Sequence, residues 1–173
     1  MENPKLDIFS KFLKEFQGES DRGAAILAVS MLDQKLKDVL LDFLIDCKAS
    51  SDLISGYNAP LGTFSSRLNI CYSLGLISDN EYNDATIIRR IRNDFAHKFE
   101  FDFSFKSQKV AALCWNLKGD VPRERHYYND DPRAMFIHGV VFLYVNLLYR
   151  EEHVNERRLK RPNWHSITWG RTE

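Results

Sequence analysis

An all-α fold follows from three features of this 173-residue chain. Apolar residues recur every three or four positions through most of its length, the period of an amphipathic helix. Helix-start signals stand in front of these runs, the clearest being Ser78-Asp79-Asn80-Glu81 and Asp131-Pro132. A single stretch has period two, and a lone strand would have nothing to pair with. The expected architecture is a compact helical bundle with an extended Phe-rich arm and a C-terminal helix, in one domain over residues 1–173.

Leu6, Phe9, Leu13 and Phe16 fall on one face and predict a helix over 4–17, with Asn3 as cap, Pro4 in the first turn and Gly18 at the end. Ile26, Val29, Leu32, Leu36, Val39, Leu40, Phe43 and Leu44 form a stripe that predicts a second helix over 21–47. Gly56, Asn58, Pro60 and Gly62 then make 50–62 irregular. A third helix is expected over 64–74, with Thr63 as N-cap and Gly75 at its C-terminus. The box at Ser78–Glu81 opens a fourth helix carrying Ile88, Ile91 and Phe95 and reaching His97.

Phe99, Phe101, Phe103 and Phe105 alternate with polar residues, which predicts an extended arm with one buried face. Ser107 is read as the cap of a short helix reaching Leu117, and 119–129 as a polar loop. Asp131 followed by Pro132 begins a last helix reaching about His153. Beyond it the chain is basic at Arg157, Arg158, Lys160 and Arg161, and aromatic at Trp164 and Trp169.

Composition narrows the function. Lys plus Arg and Asp plus Glu are 24 each, so formal net charge is zero, which disfavours nonspecific nucleic-acid binding as the dominant activity. Cys47, Cys71 and Cys114 lack CxxC spacing, and the five histidines lack ligand spacing, so neither disulfide framework, metal nor other cofactor is expected. Gly56 and Gly62 do not form a phosphate loop. Met1 to Lys14 is charged throughout, unlike a signal peptide, and the apolar run Met135–Tyr149 is short for a bilayer. A cytoplasmic protein without a membrane partner is expected.

The chemistry concentrates in Arg92-Asn93-Asp94-Phe95-Ala96-His97, which joins a permanent cation to a titratable imidazole. At about 100° per residue, positions five apart differ by about 140°, so Arg92 and His97 cannot share a face of one straight helix. Arg89, Asn93 and His97 do share one. A joint Arg–His site therefore needs the helix to end early or a second copy to contribute. The bland alternative is an internal pairing of Arg92 with Asp33 or another carboxylate, with Asn93 and His97 bonded at the helix end. Arg67 and Asp33 are read as supporting residues, Arg67 as an ion-paired or solvated cation and Asp33 beside Lys35 and Lys37.

Taken in order, several segments resemble a known family. They are Asp21–Leu44, Pro60-Leu61-Gly62-Thr63-Phe64-Ser65-Ser66-Arg67-Leu68, Tyr72-Ser73-Leu74-Gly75-Leu76-Ile77, Glu81-Tyr82 and Ile88–His97. Together they resemble the mannitol operon repressor (MltR-like) family over residues 20–117, leaving 118–173 as a C-terminal extension. The resemblance implies a compact helical domain and a role in transcriptional regulation. Separately, Arg92 and His97 are similar in spacing to the R-x4-H signature of HEPN domains, helical dimers of which several cut RNA without a metal. That likeness implies catalytic roles for Arg92 on the phosphate, His97 on the proton and Asn93 in orientation.

The leading expectation is an MltR-like, non-enzymatic regulatory or interaction protein that binds a macromolecular partner, a protein ahead of nucleic acid. Arg157, Arg158, Trp164 and Trp169 are its candidate contact residues, because tryptophans are costly to expose. Two alternatives stay open: a HEPN-like metal-independent ribonuclease acting as a homodimer, and an antitoxin or immunity protein that blocks a toxin.

Overall fold

The computed structural model describes residues 4–98, 102–119, 122 and 124–165, with side chains from 4–9 and 11 left aside. Seven α-helices account for most of them: α1 Pro4–Gly18, α2 Asp21–Phe43, α3 Lys48–Ser55, α4 Phe64–Ser73, α5 Asp79–His97, α6 Gln108–Cys114 and α7 Pro132–Asn155. A 3-10 helix, Arg125–Tyr128, precedes α7, and there is no strand among the described residues. The fold is all-α and compact.

α2 lies at the centre, with α4, α5 and α7 packed around it. Its Ala24, Ala25 and Ala28 are fully buried, and small side chains let helices approach closely, while Leu32, Leu36, Val39 and Leu40 complete the same core. α5 contributes Ile88, Ile91 and Phe95, all fully buried, and α7 contributes Met135, Phe136, Val140, Leu143 and Leu147. Burying side chains of this size stabilises by roughly 1.5–3 kcal/mol each.

Three helix starts follow the predicted capping chemistry, whereas Ser107 precedes α6 without a side-chain cap bond and α6 ends at Cys114 rather than at Leu117. The Thr63 hydroxyl accepts from the Ser66 amide at 3.2 Å and the Ser66 hydroxyl accepts from the Thr63 amide, also at 3.2 Å, closing a box at the start of α4. Glu81 accepts from the Ser78 amide at 2.7 Å at the start of α5. Asp131 caps α7 by accepting from the Arg133 amide at 3.0 Å. Gly75, at φ +69, ends α4: its amide donates to Tyr72 O and that of Leu76 to Cys71 O, both at 2.9 Å, a pattern that needs the left-handed backbone.

Two further expectations are corrected. α2 stops at Phe43 rather than at Cys47, with Leu44 in extended backbone. The last segment supplies the reason: the Leu159 amide donates to Phe43 O at 2.8 Å and Arg158 Nε donates to Asp42 O at 3.1 Å, occupying carbonyls at the helix end. Of residues 50–62, expected to be irregular throughout, 50–55 belong to α3, where Ile54 is fully buried and Lys48 pairs with Asp52 one turn on. The apolar segment in α7 belongs to a helix of 24 residues, long and apolar enough to cross a membrane by length and composition alone; its buried face forms the core against α2.

Phe103 and Phe105 of the arm pack on Phe95, with ring centroids at 4.9 and 5.0 Å, and Phe105 also meets Phe136 at 4.7 Å. Phe99 and Phe101 lie outside the described residues, as does the predicted cap Asn3.

Candidate functional site

The core stripe of α5 decides where its polar residues go. With Ile88, Ile91 and Phe95 turned inward, Arg89, Arg92 and Asn93 are placed along one flank. That flank faces α2, where Val29, Ser30 and Asp33 stand, and the capped N-terminus of α4, with Thr63, Phe64 and Ser65. The three elements enclose an open cleft of about 350 Å³ lined by these residues.

Within it, Arg89 Nη1 donates to Ser65 Oγ, and Arg92 Nη1 donates to Asn93 Oδ1 at 3.1 Å. The Nε atoms of both arginines are buried without a hydrogen-bond partner. Asp33 Oδ2 accepts from Arg67 Nη1 at 2.5 Å, while Asp33 Oδ1 is buried and unpartnered. Arg67 is 8% exposed and also donates to Ile54 O at 3.0 Å, tying α4 to α2 and α3. Asp33 therefore pairs with Arg67, and not with Arg92, Lys35 or Lys37; Lys35 bridges Asp38 at 3.0 Å and Glu151 at 2.5 Å instead.

His97 is absent from the cleft. α5 runs on through it as its last residue, and its side chain is exposed. The helix does not end early, so the rotation of about 140° separates Arg92 from His97 on a single chain. Two guanidiniums, an amide and hydroxyls line the cleft together with the Asp33 carboxylate, and His97 is not among its lining residues.

The predicted contact residues of the C-terminal extension separate as well. Arg158 docks on the end of α2 through Asp42, and Arg157 is exposed beside a second cleft of about 370 Å³ with Phe43, Leu76, Arg150 and His153. Trp164 is 86% exposed, so it does not pack on the described residues, and Trp169 lies outside them. His138 is exposed and meets Tyr128 edge-on at 5.5 Å.

Burial pushes the Cys71 and Cys114 thiols up to about 12. Hydrogen bonds from Ser50 instead lower Cys47 to about 7. Among the described residues no group of His, Cys, Asp and Glu is placed to hold a metal. Sequence reasoning missed Ser30, Thr63 and Ser65 as cleft residues. Ser30 stands one turn before Asp33, and Thr63 and Ser65 begin a helix, signals too common to single out a site.

No protein-family model matches the chain. It is 28% identical over 101 residues to the mannitol operon repressors of Escherichia coli strain K12 and of Escherichia coli O6:H1 strain CFT073. The match covers 55% of this chain, and the chain spans about half the length of each of these curated relatives, 50%. Among solved structures, it is similar to the X-ray structure of the MtlR–HPr complex from Escherichia coli, with a TM-score of 0.56 and 21% identity over 84% of this chain and 97% of that chain. The expected MltR-like resemblance is thus met by a sequence match over 101 residues, and at 21% identity the structural likeness speaks for the fold alone.

Proposed function

We propose that this protein is a regulatory protein that acts by binding a macromolecular partner, a protein first of all. The observation that carries this reading is the separation of His97 from the cleft holding Arg92 and Asn93, which leaves an anion-binding surface in place of an acid–base pair. Zero net charge supports a protein over nucleic acid. The Escherichia coli MtlR that shares this fold was solved in complex with HPr, which makes HPr the first partner to test. Control of transcription would then pass through that partner. Calorimetric titration of the purified chain with HPr is the test: saturable binding supports the assignment, and the absence of heat and of co-migration on a sizing column overturns it for HPr.

One feature favours a second reading, a metal-independent ribonuclease. His97 is exposed at the end of α5, where a second copy could present it to Arg92 and Asn93 across a dimer. Cleavage of cellular RNA in EDTA by dimers of the wild type, lost in Arg92→Ala and His97→Ala, would establish it. Intact RNA with the wild type would remove it.

A further inference from the structure

We propose that the cleft between α2, α4 and α5 is a binding site for a phosphate dianion, either free or carried by a small molecule as its monoester. Arg89 and Arg92 stand one turn apart on α5, so both guanidiniums reach the same side of the cleft. Each carries five N–H donors. Arg89 gives one to Ser65 and Arg92 gives one to Asn93, and neither forms an ion pair with a carboxylate among the described residues. The Nε atoms are buried out of a ligand's reach, but the remaining Nη donors of both guanidiniums have no acceptors among the described residues. A phosphate, with several acceptor oxygens and bidentate geometry toward guanidinium, supplies them.

The N-terminus of α4 opens onto the same cleft through Thr63, Phe64 and Ser65. Thr63 caps the Ser66 amide, which leaves the earlier first-turn amides of Phe64 and Ser65 to face an anion, in the favourable direction of the helix dipole. Ser65 Oγ accepts from Arg89, so its own proton is available to a phosphate oxygen. The carboxylate in the cleft does not cancel this field. Asp33 is paired with Arg67 behind it, and its second oxygen is buried. A bounded cleft of about 350 Å³ suits a small ligand better than a polymer, which would need a track.

The test is calorimetric titration of the full chain in EDTA at fixed ionic strength with inorganic phosphate, glucose 6-phosphate and glucose. Arg89→Gln, Arg92→Gln and Asn93→Asp are compared with wild type, their fold checked by circular dichroism. Binding of either phosphate, weakened about tenfold or more by each substitution and unchanged in His97→Ala, is the expected result. Tighter binding of glucose 6-phosphate than of phosphate identifies a monoester, and equal binding identifies the free ion. The proposal is overturned if neither phosphate binds, if glucose binds as well as its phosphate, or if all three variants bind like wild type. It is equally overturned if only a single-stranded RNA oligonucleotide binds, which would make the cleft part of a polymer surface.

Discussion

Arg67 Nη1 donates to Asp33 Oδ2 at 2.5 Å, and through this pair α4 is fastened to α2 directly behind the cleft that Arg89 and Arg92 face. The arginine is the more buried partner, and its second bond, to Ile54 O, brings α3 into the same contact. The pair sets both the position of the α4 N-terminus and the charge of the cleft.

Removing Arg67 should therefore destabilise more than a surface ion pair would. Arg67→Ala leaves Asp33 without its cation in a partly buried setting and frees Ile54 O, at a cost of about 3 kcal/mol. Urea unfolding followed by circular dichroism measures it. A change below about 1 kcal/mol would mean that the pair is only a surface contact.

Asp84 is a second anchor, 3% exposed, whose two carboxylate oxygens accept from the amides of Lys118 and Gly119, both at 2.7 Å. Asp84→Ala leaves these two amides without that acceptor and should cost about 2–3 kcal/mol. The local signature is faster hydrogen exchange at Lys118 and Gly119; unchanged exchange there would contradict the assigned bonds.

The helix that carries the cleft arginines depends on its inward stripe. Phe95→Ala removes a fully buried ring packed on Phe103 and Phe105, with an expected loss of about 3–5 kcal/mol. His97→Ala, two residues on and exposed, should stay within about 0.5 kcal/mol of wild type. Paired thermal melts compare them, and a large loss in the His97 variant would reveal a structural contact of the imidazole.

Thiol chemistry should single out Cys47. With its pKa lowered to about 7, mainly by hydrogen bonding to Ser50, its thiolate fraction rises as pH passes through neutrality. Cys71 and Cys114 are buried and held up to about 12, so they stay protonated over the same range. Native alkylation with iodoacetamide should add one group, at Cys47, with a rate half-maximal near pH 7. Ser50→Ala should move that midpoint upward, and modification of Cys71 or Cys114 in folded protein would contradict the burial.

Much of the frame is legible along the chain because its signals are local. Thr63, Ser78 and Asp131 mark helix starts by side chains that reach amides two or three residues away. The end of α2 was not legible, since its carbonyls are taken by Arg158 and Leu159 from the far end of the chain. α3 was hidden for a related reason: its serines and the turn residues after it outweigh a helix held by one buried side chain, Ile54.

The sequence by itself determined the all-α class, the caps, the inward stripe of α5 and the rotation that separates Arg92 from His97 on a straight helix. Each depends on bonds and angles spanning a few residues. Only the tertiary structure decided that α5 runs on through His97, that Asp33 belongs to Arg67, and that Ser30, Thr63 and Ser65 meet Arg89 and Arg92 around one cleft. Those partners come from three helices, and which flanks face one another is set by the packing of the whole core, a property of no single segment.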